Sequence, residues 1–130
     1  MQKDTHISSL KGLLHEQQRP DRELTVHYNC QNLDPMCANL PLGATCCGNL
    51  VLGCCEAASN FDTPAGVNDF SGPYDTTSIM HYRSDAFALP GRFTMTPAVP
   101  GVVVPVESAE QPSALDFGRI CKIYKPAGPC

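Results

Sequence analysis

No apolar run in these 130 residues approaches the ~20 consecutive apolar positions of a membrane-spanning helix, so no membrane partner is expected. Basic clusters are missing too. Nine lysines and arginines face thirteen acidic residues, for a net charge of -4 and a pI near 5.4. Nucleic-acid binding needs a clustered basic face, so that class is excluded. The opening MQKDTHISSL lacks the charged-then-apolar pattern and the small-residue cleavage site of a secretory leader. There is no internal repeat, no low-complexity block, and no Cys-x-x-Cys pair of the kind that metal sites favour.

Cysteine and proline, by contrast, are abundant, at eight and twelve residues. A folded cytosolic protein seldom carries so many thiols without metal, which points to an oxidising, extracellular compartment. Set beside the leaderless start, that compartment suits a mature form, a fragment or a mis-started chain. The length suits one domain with one modest core.

Residues 4–11 read as a short initial helix, capped by Asp4 or Thr5 and stopped by Gly12. Leu24, Val26 and Tyr28 alternate with Thr25 and His27, the pattern of a short extended segment. Residues 36–59 form a cysteine-rich stretch with Cys37, Cys46-Cys47 and Cys54-Cys55 separated by Gly43, Gly48 and Gly53. Its apolar residues follow no period, and it reads as a loop stapled by disulfides. Neighbouring cysteines are not expected to pair with each other, and the connectivity is open. Residues 60–74 are turn-rich, and the three prolines of PAVPGVVVP favour an extended edge path.

The clearest element is a helix at about 113–125. Ser113 caps it, Asp116 completes an acidic capping box, and Pro126 ends it. Phe117, Ile120, Cys121 and Tyr124 fall on one apolar face, the face expected to pack. Cys121 is either a buried free thiol or a partner of Cys30 or Cys37.

Two stretches are more specific. The first is GLLHEQQRPDR, residues 12–22, followed by Val26 and Asn32; the second is YDTTSIMHY, residues 74–82. Together they resemble the astacin family of secreted zinc endopeptidases, a branch of the metzincins. That family's active-site helix reads HExxHxxGxxHExxRxDR and its Met-turn reads YDxxSIMHY. Ser113, Asp116, Ile120 and Tyr124 also match its closing helix. The resemblance implies an α+β, zincin-like C-terminal lobe that is loop-rich and disulfide-stapled. It divides the chain into 1–35, the end of the active-site helix and the third-histidine segment; 36–59, an insert; and 60–130, the Met-turn and C-terminal helix.

What the resemblance implies about chemistry is zinc-dependent hydrolysis of a peptide or protein substrate by metal-activated water. Histidines at i and i+4 reach one metal from one helix face, and the glutamate between them takes the water's proton. Carried over residue by residue, Gly12 is the turning glycine, His15 the third zinc ligand, and Glu16 the anchor of the mature amino terminus. Met80 is the packing methionine, and Tyr82 the switch tyrosine that can ligate zinc and stabilise the transition state. Arg19, Asp21 and Arg22 match an ion-pair network that fixes the loop after the third histidine. His27 and His81 are expected to be structural or exposed.

The match fails at three positions. The first two ligand positions fall on Thr5 and Ser9, and the general-base position on His6. Neutral hydroxyls are poor zinc donors, so this chain is expected to bind zinc weakly and to cleave peptides very slowly or not at all. Cys130 is the nearest match to a family cysteine whose partner lies upstream of the active site, so it is expected to be unpaired. Two alternatives of other classes are a non-catalytic pseudo-protease that serves as a binding module and a secreted disulfide-rich scaffold whose insert is the functional surface. The sequence does not specify an oligomeric state.

Overall fold

A computed structural model describes residues 13–38, 40–48, 53–66 and 72–130. The expected helix over 4–11, and with it Thr5, His6, Ser9 and Gly12, lies outside the described residues.

Regular structure is sparse, as twelve prolines and ten glycines dictate. Two short 3-10 turns, Glu16–Gln18 and Arg22–Leu24, lead into strand β1, Val26–Tyr28. Two more follow at Cys30–Asn32 and Glu56–Phe61, then strand β2, Met95–Pro97, and helix α1, Ala114–Tyr124. The strands pair antiparallel with Val26 opposite Pro97, His27 opposite Thr96 and Tyr28 opposite Met95. Val26 is buried and His27 exposed, the two-residue alternation read from the sequence. Leu24 departs from it, being 75% exposed within its 3-10 turn.

The apolar core is small. Val26, Leu33, Phe61 and Met95 are its largest buried members, and Cys46, Cys54 and Cys55 are buried among them. Phe61 is fully buried, stacked on Tyr28 with ring centroids 4.4 Å apart and edge-on to Phe87 at 6.4 Å. Disulfides thus form part of the core itself, which suits a chain too short to build a large one.

All eight cysteines are paired. Cys30–Cys47, Cys37–Cys54 and Cys46–Cys55 interlace across the cysteine-rich stretch, and no adjacent cysteines bond to each other. Cys30, outside residues 36–59, is drawn into that framework. The fourth bridge, Cys121–Cys130, corrects two expectations: Cys130 is not unpaired, and Cys121 is neither a free thiol nor a partner of Cys30 or Cys37. The reason is local. The chain turns back after α1 and brings the two Cα atoms to 5.8 Å, within disulfide reach.

At its start, α1 follows its sequence signature. Ser113 Oγ accepts from Asp116 N–H at 3.1 Å, and the Asp116 carboxylate accepts from Ser113 N–H at 2.9 Å. The packed face does not follow it. Phe117 and Tyr124 are 61% and 60% exposed, whereas Asp116 and Arg119 are buried. α1 docks through polar groups: Asp116 meets Ser78 and the Ile79 N–H, and Arg119 meets Glu16 and the Pro73 carbonyl.

Candidate active site

His15 sits in extended backbone at the entry to the Glu16–Gln18 turn. Its Nδ1 lies 2.9 Å from the Met80 carbonyl oxygen. A carbonyl only accepts, so Nδ1 carries the hydrogen and Nε2 keeps a lone pair. Burial lowers the imidazole's pKa against the opposing pull of that hydrogen bond, so the ring is neutral at pH 7. The same carbonyl accepts from Glu16 N–H at 3.2 Å, and Gln17 Oε1 accepts from Tyr82 N–H at 3.2 Å. These bonds seat the His15–Gln17 segment on Met80–Tyr82. The Tyr82 ring then lies against the His15 ring, with centroids 4.6 Å apart and planes at 56°. The Met80 side chain is buried.

Behind this junction is a charged network. Glu16 is buried, with Oε1 paired to Arg119 Nη1 and Oε2 accepting from Asp75 N–H at 2.9 Å. Arg19 Nη1 stands 3.7 Å from the same carboxylate. Burial raises the Glu16 pKa, while the Asp75 N–H, Arg119 and Arg19 oppose the rise. Both guanidiniums also donate to the Pro73 carbonyl, Arg119 at 2.7 Å and Arg19 at 3.3 Å. Arg19 makes a two-point contact with Asp21, at 2.8 Å each, and a further bond to the Gly72 carbonyl at 2.8 Å. Arg22 donates to the carbonyls of Gln17 and Phe61. The three-residue Arg19, Asp21 and Arg22 set spends these bonds within the protein.

Asp116 ties α1 to the Met-turn. Its Oδ1 accepts from Ser78 Oγ at 2.6 Å and its Oδ2 from Ile79 N–H at 2.9 Å. Asp75 accepts from Ser113 Oγ at 2.6 Å and from the Thr77 hydroxyl at 2.7 Å. Burial opposes its ionisation, but these bonds hold the Asp75 carboxyl below its usual range.

His81 is buried and structural. One ring nitrogen pairs with the Tyr74 hydroxyl at 2.9 Å, the other with the Tyr82 carbonyl at 2.5 Å, and burial lowers its pKa to about 4. Exposed His27 pairs with Glu23.

The structure therefore brings His15, Glu16, Met80 and Tyr82 together; Thr5, His6, Ser9 and Gly12 lie outside the described residues. Arg119, Gln17 and Asn60 were not singled out from the sequence. Arg119 carried a signal, lying one turn beyond Asp116 on the same helix face. Gln17 and Asn60 carried none.

A catalytic zinc ion wants three protein ligands of nitrogen, sulfur or carboxylate type. All cysteines are bonded to one another, and both nitrogens of His81 are engaged. Among the described residues no three His, Cys, Asp or Glu side chains converge. The described residues alone do not supply the three ligands that the ion needs.

Comparison with known proteins agrees with the geometry. The family model for Astacin, a peptidase family, matches residues 55–125. High choriolytic enzyme 1 of Oryzias latipes is 33% identical over 114 residues, 87% of this chain and 34% of that protein. Zinc metalloproteinase nas-5 of Caenorhabditis elegans is 30% identical over 127 residues, 95% of this chain and 30% of that protein. The solved structure of High choriolytic enzyme 1, a hatching enzyme zinc-protease from medaka, superposes with a TM-score of 0.61 at 33% identity. It covers 87% of this chain, which in turn covers 46% of it. The chain thus spans about a third of the length of these curated relatives. With a small sheet, one closing helix and long disulfide-held loops, it has the α+β, metzincin-type fold and belongs to the astacin family.

Proposed function

We propose that this chain is the Met-turn lobe of an astacin-type zinc metalloendopeptidase, and that as written it does not hydrolyse peptides by itself. The carrying observation is the junction of His15 with Met80 and Tyr82: a neutral imidazole with its Nδ1 hydrogen committed to a backbone carbonyl and a phenol ring against its face. That arrangement supports His15 as one imidazole ligand of the family's metal and Tyr82 as the phenol beside it. Met80 and Glu16 hold the junction. The three segments, 1–35, 36–59 and 60–130, are then parts of one partial peptidase domain. The activity of the family-type whole is cleavage of a peptide or protein substrate outside the cell.

Thr5, Ser9 and His6 supply neither the two further ligands nor the general base, which supports the inactive form of this reading. The same donor set favours the second reading, a pseudo-protease that binds without cutting. The test is zinc content after dialysis of the oxidised chain against a weak chelator, beside the triple variant Thr5→His/His6→Glu/Ser9→His. The parent chain is expected to retain little zinc and the triple variant to take it up near stoichiometry. Stoichiometric zinc in the parent chain overturns the inactive reading. No gain in a folded triple variant overturns the assignment of His15 as a ligand.

A further inference from the structure

The cysteine-rich stretch has no part in that donor set, yet its bonds end beside it. Cys54 and Cys55 are bridged to Cys37 and Cys46, and the Glu56–Phe61 turn begins at the next residue. Cys55 is held at a φ of 60°, a left-handed conformation that costs a non-glycine residue energy. Its N–H donates to the Pro35 carbonyl at 2.9 Å, and its carbonyl accepts from Ala58 N–H at 3.0 Å. The root of the turn is thus pinned by a covalent bond and two backbone bonds.

The tip of the turn meets the tyrosine. Asn60 Nδ2 donates to the Ala57 carbonyl at 3.1 Å, which sets the direction of its amide and leaves Oδ1 3.5 Å from the Tyr82 hydroxyl. Phe61 stands edge-on to the Tyr82 ring at 6.1 Å and 89°, and Phe87 touches it at 5.9 Å. Arg22 holds the Phe61 carbonyl, and Thr63 Oγ1 donates to the Gln18 carbonyl at 2.7 Å, so the turn is also tied to the His15 segment. At 3.5 Å the Asn60–Tyr82 contact is long for a hydrogen bond between oxygens. The hydroxyl faces the Asn60 amide oxygen, and the ring itself rests on Phe61 and Phe87.

We propose that the cysteine-rich stretch is a covalent clamp that seats the Tyr82 ring against His15, with Asn60 as the positioning residue at its tip. For its catalytic meaning this rests on the reading of His15 and Tyr82 as parts of a metal site; the clamp itself does not. A stretch with no other evident purpose is thereby given one. The disulfides close the core and, through a six-residue turn, fix one wall of the site.

The experiment is the rate of His15 modification by diethyl pyrocarbonate, read peptide by peptide by mass spectrometry. His27, exposed, and His81, buried, serve as internal controls for reagent and fold. Tyr82→Ala sets the rate for an uncovered His15. Asn60→Ala is expected to raise the His15 rate several-fold toward that limit while His81 stays protected, and Asn60→Asp, which keeps an oxygen acceptor but loses the Nδ2 bond to the Ala57 carbonyl, to fall between the parent and Asn60→Ala rates. Cys46→Ala/Cys55→Ala is expected to raise it too, whereas Cys121→Ala/Cys130→Ala leaves it unchanged. A parent-like rate in Asn60→Ala with His81 protected overturns the proposal. So does an equal response to loss of the Cys121–Cys130 bridge. Because removing Cys46 and Cys55 also thins the core, the Asn60 pair decides if His81 becomes reactive in that variant. None of these rates involves zinc, so failure of the clamp and failure of the metal-site reading are read separately.

Discussion

Around Phe61 the chain is held by sulfur and hydrocarbon; around Asp116 it is held by charge. In the first region Val26, Leu33, Phe61 and Met95 are buried with Cys46, Cys54 and Cys55. In the second, Glu16, Arg19, Asp75, Asp116 and Arg119 are all buried, and no α1 side chain belongs to the apolar core. Both regions order a loop-rich chain with little sheet or helix to help. They differ in what disturbs them. Cystines and apolar contacts are indifferent to protons and vulnerable to reductant. A buried charge network is vulnerable to protons and to the loss of any one partner, since the remaining charge is left uncompensated.

The largest expected effect is in the sulfur-held region. Cys46→Ala/Cys55→Ala removes a buried bridge and leaves space in the core, and should cost about 4 kcal/mol in chemical denaturation. A cost below about 1 kcal/mol would show that the cystines only decorate a self-sufficient core. Next is the charged region. Asp116→Ala strands Ser78 Oγ and the Ile79 and Ser113 N–H groups, and should cost about 3 kcal/mol, with Asp116→Asn costing less.

Acid separates the regions further. His81 has a folded pKa of about 4 against an ordinary 6.5. The unfolded chain therefore binds a proton first as the pH falls. Stability is full above pH 6.5 and declines toward pH 4, by at most about 3 kcal/mol from this residue. Asp75 and Asp21, both held below their usual range, add losses at lower pH still. A flat melting temperature from pH 7 to 4 would contradict a neutral buried His81. The smallest effect is at the helix surface: Phe117→Ser should change stability by less than about 0.5 kcal/mol, because the ring is 61% exposed. A large loss there would restore the apolar face of α1 to the core.

Much of the candidate site could be located in the sequence because the family motifs are contiguous. His15, Glu16, Met80 and Tyr82 were each readable by position, and the structure joins them through a single carbonyl, that of Met80. The carbonyl was not readable, since backbone groups leave no mark in a sequence. Asn60 was invisible for a related reason: its contact with Tyr82 spans 22 residues and depends on where a disulfide-held turn points. The helix shows both sides of the matter. Its cap was readable because Ser113 and Asp116 are three residues apart and satisfy each other. Its buried face was misread, because periodicity finds the apolar stripe but cannot see that Asp116 has partners 37 and 38 residues away.

By itself, the amino-acid sequence determined what local chemistry determines: the capped closing helix, the extended segment at Val26–Tyr28, the paired state of most cysteines, and the family to which His15 and the Met-turn belong. The tertiary structure alone decided which cysteines bond, why Cys121 reaches Cys130, which face of α1 is buried, and how Tyr82 comes to lie on His15. The division is physical. Caps and alternation are satisfied within a few residues, whereas a buried carboxylate, a cystine or an aromatic contact is satisfied by whatever the whole fold brings within reach.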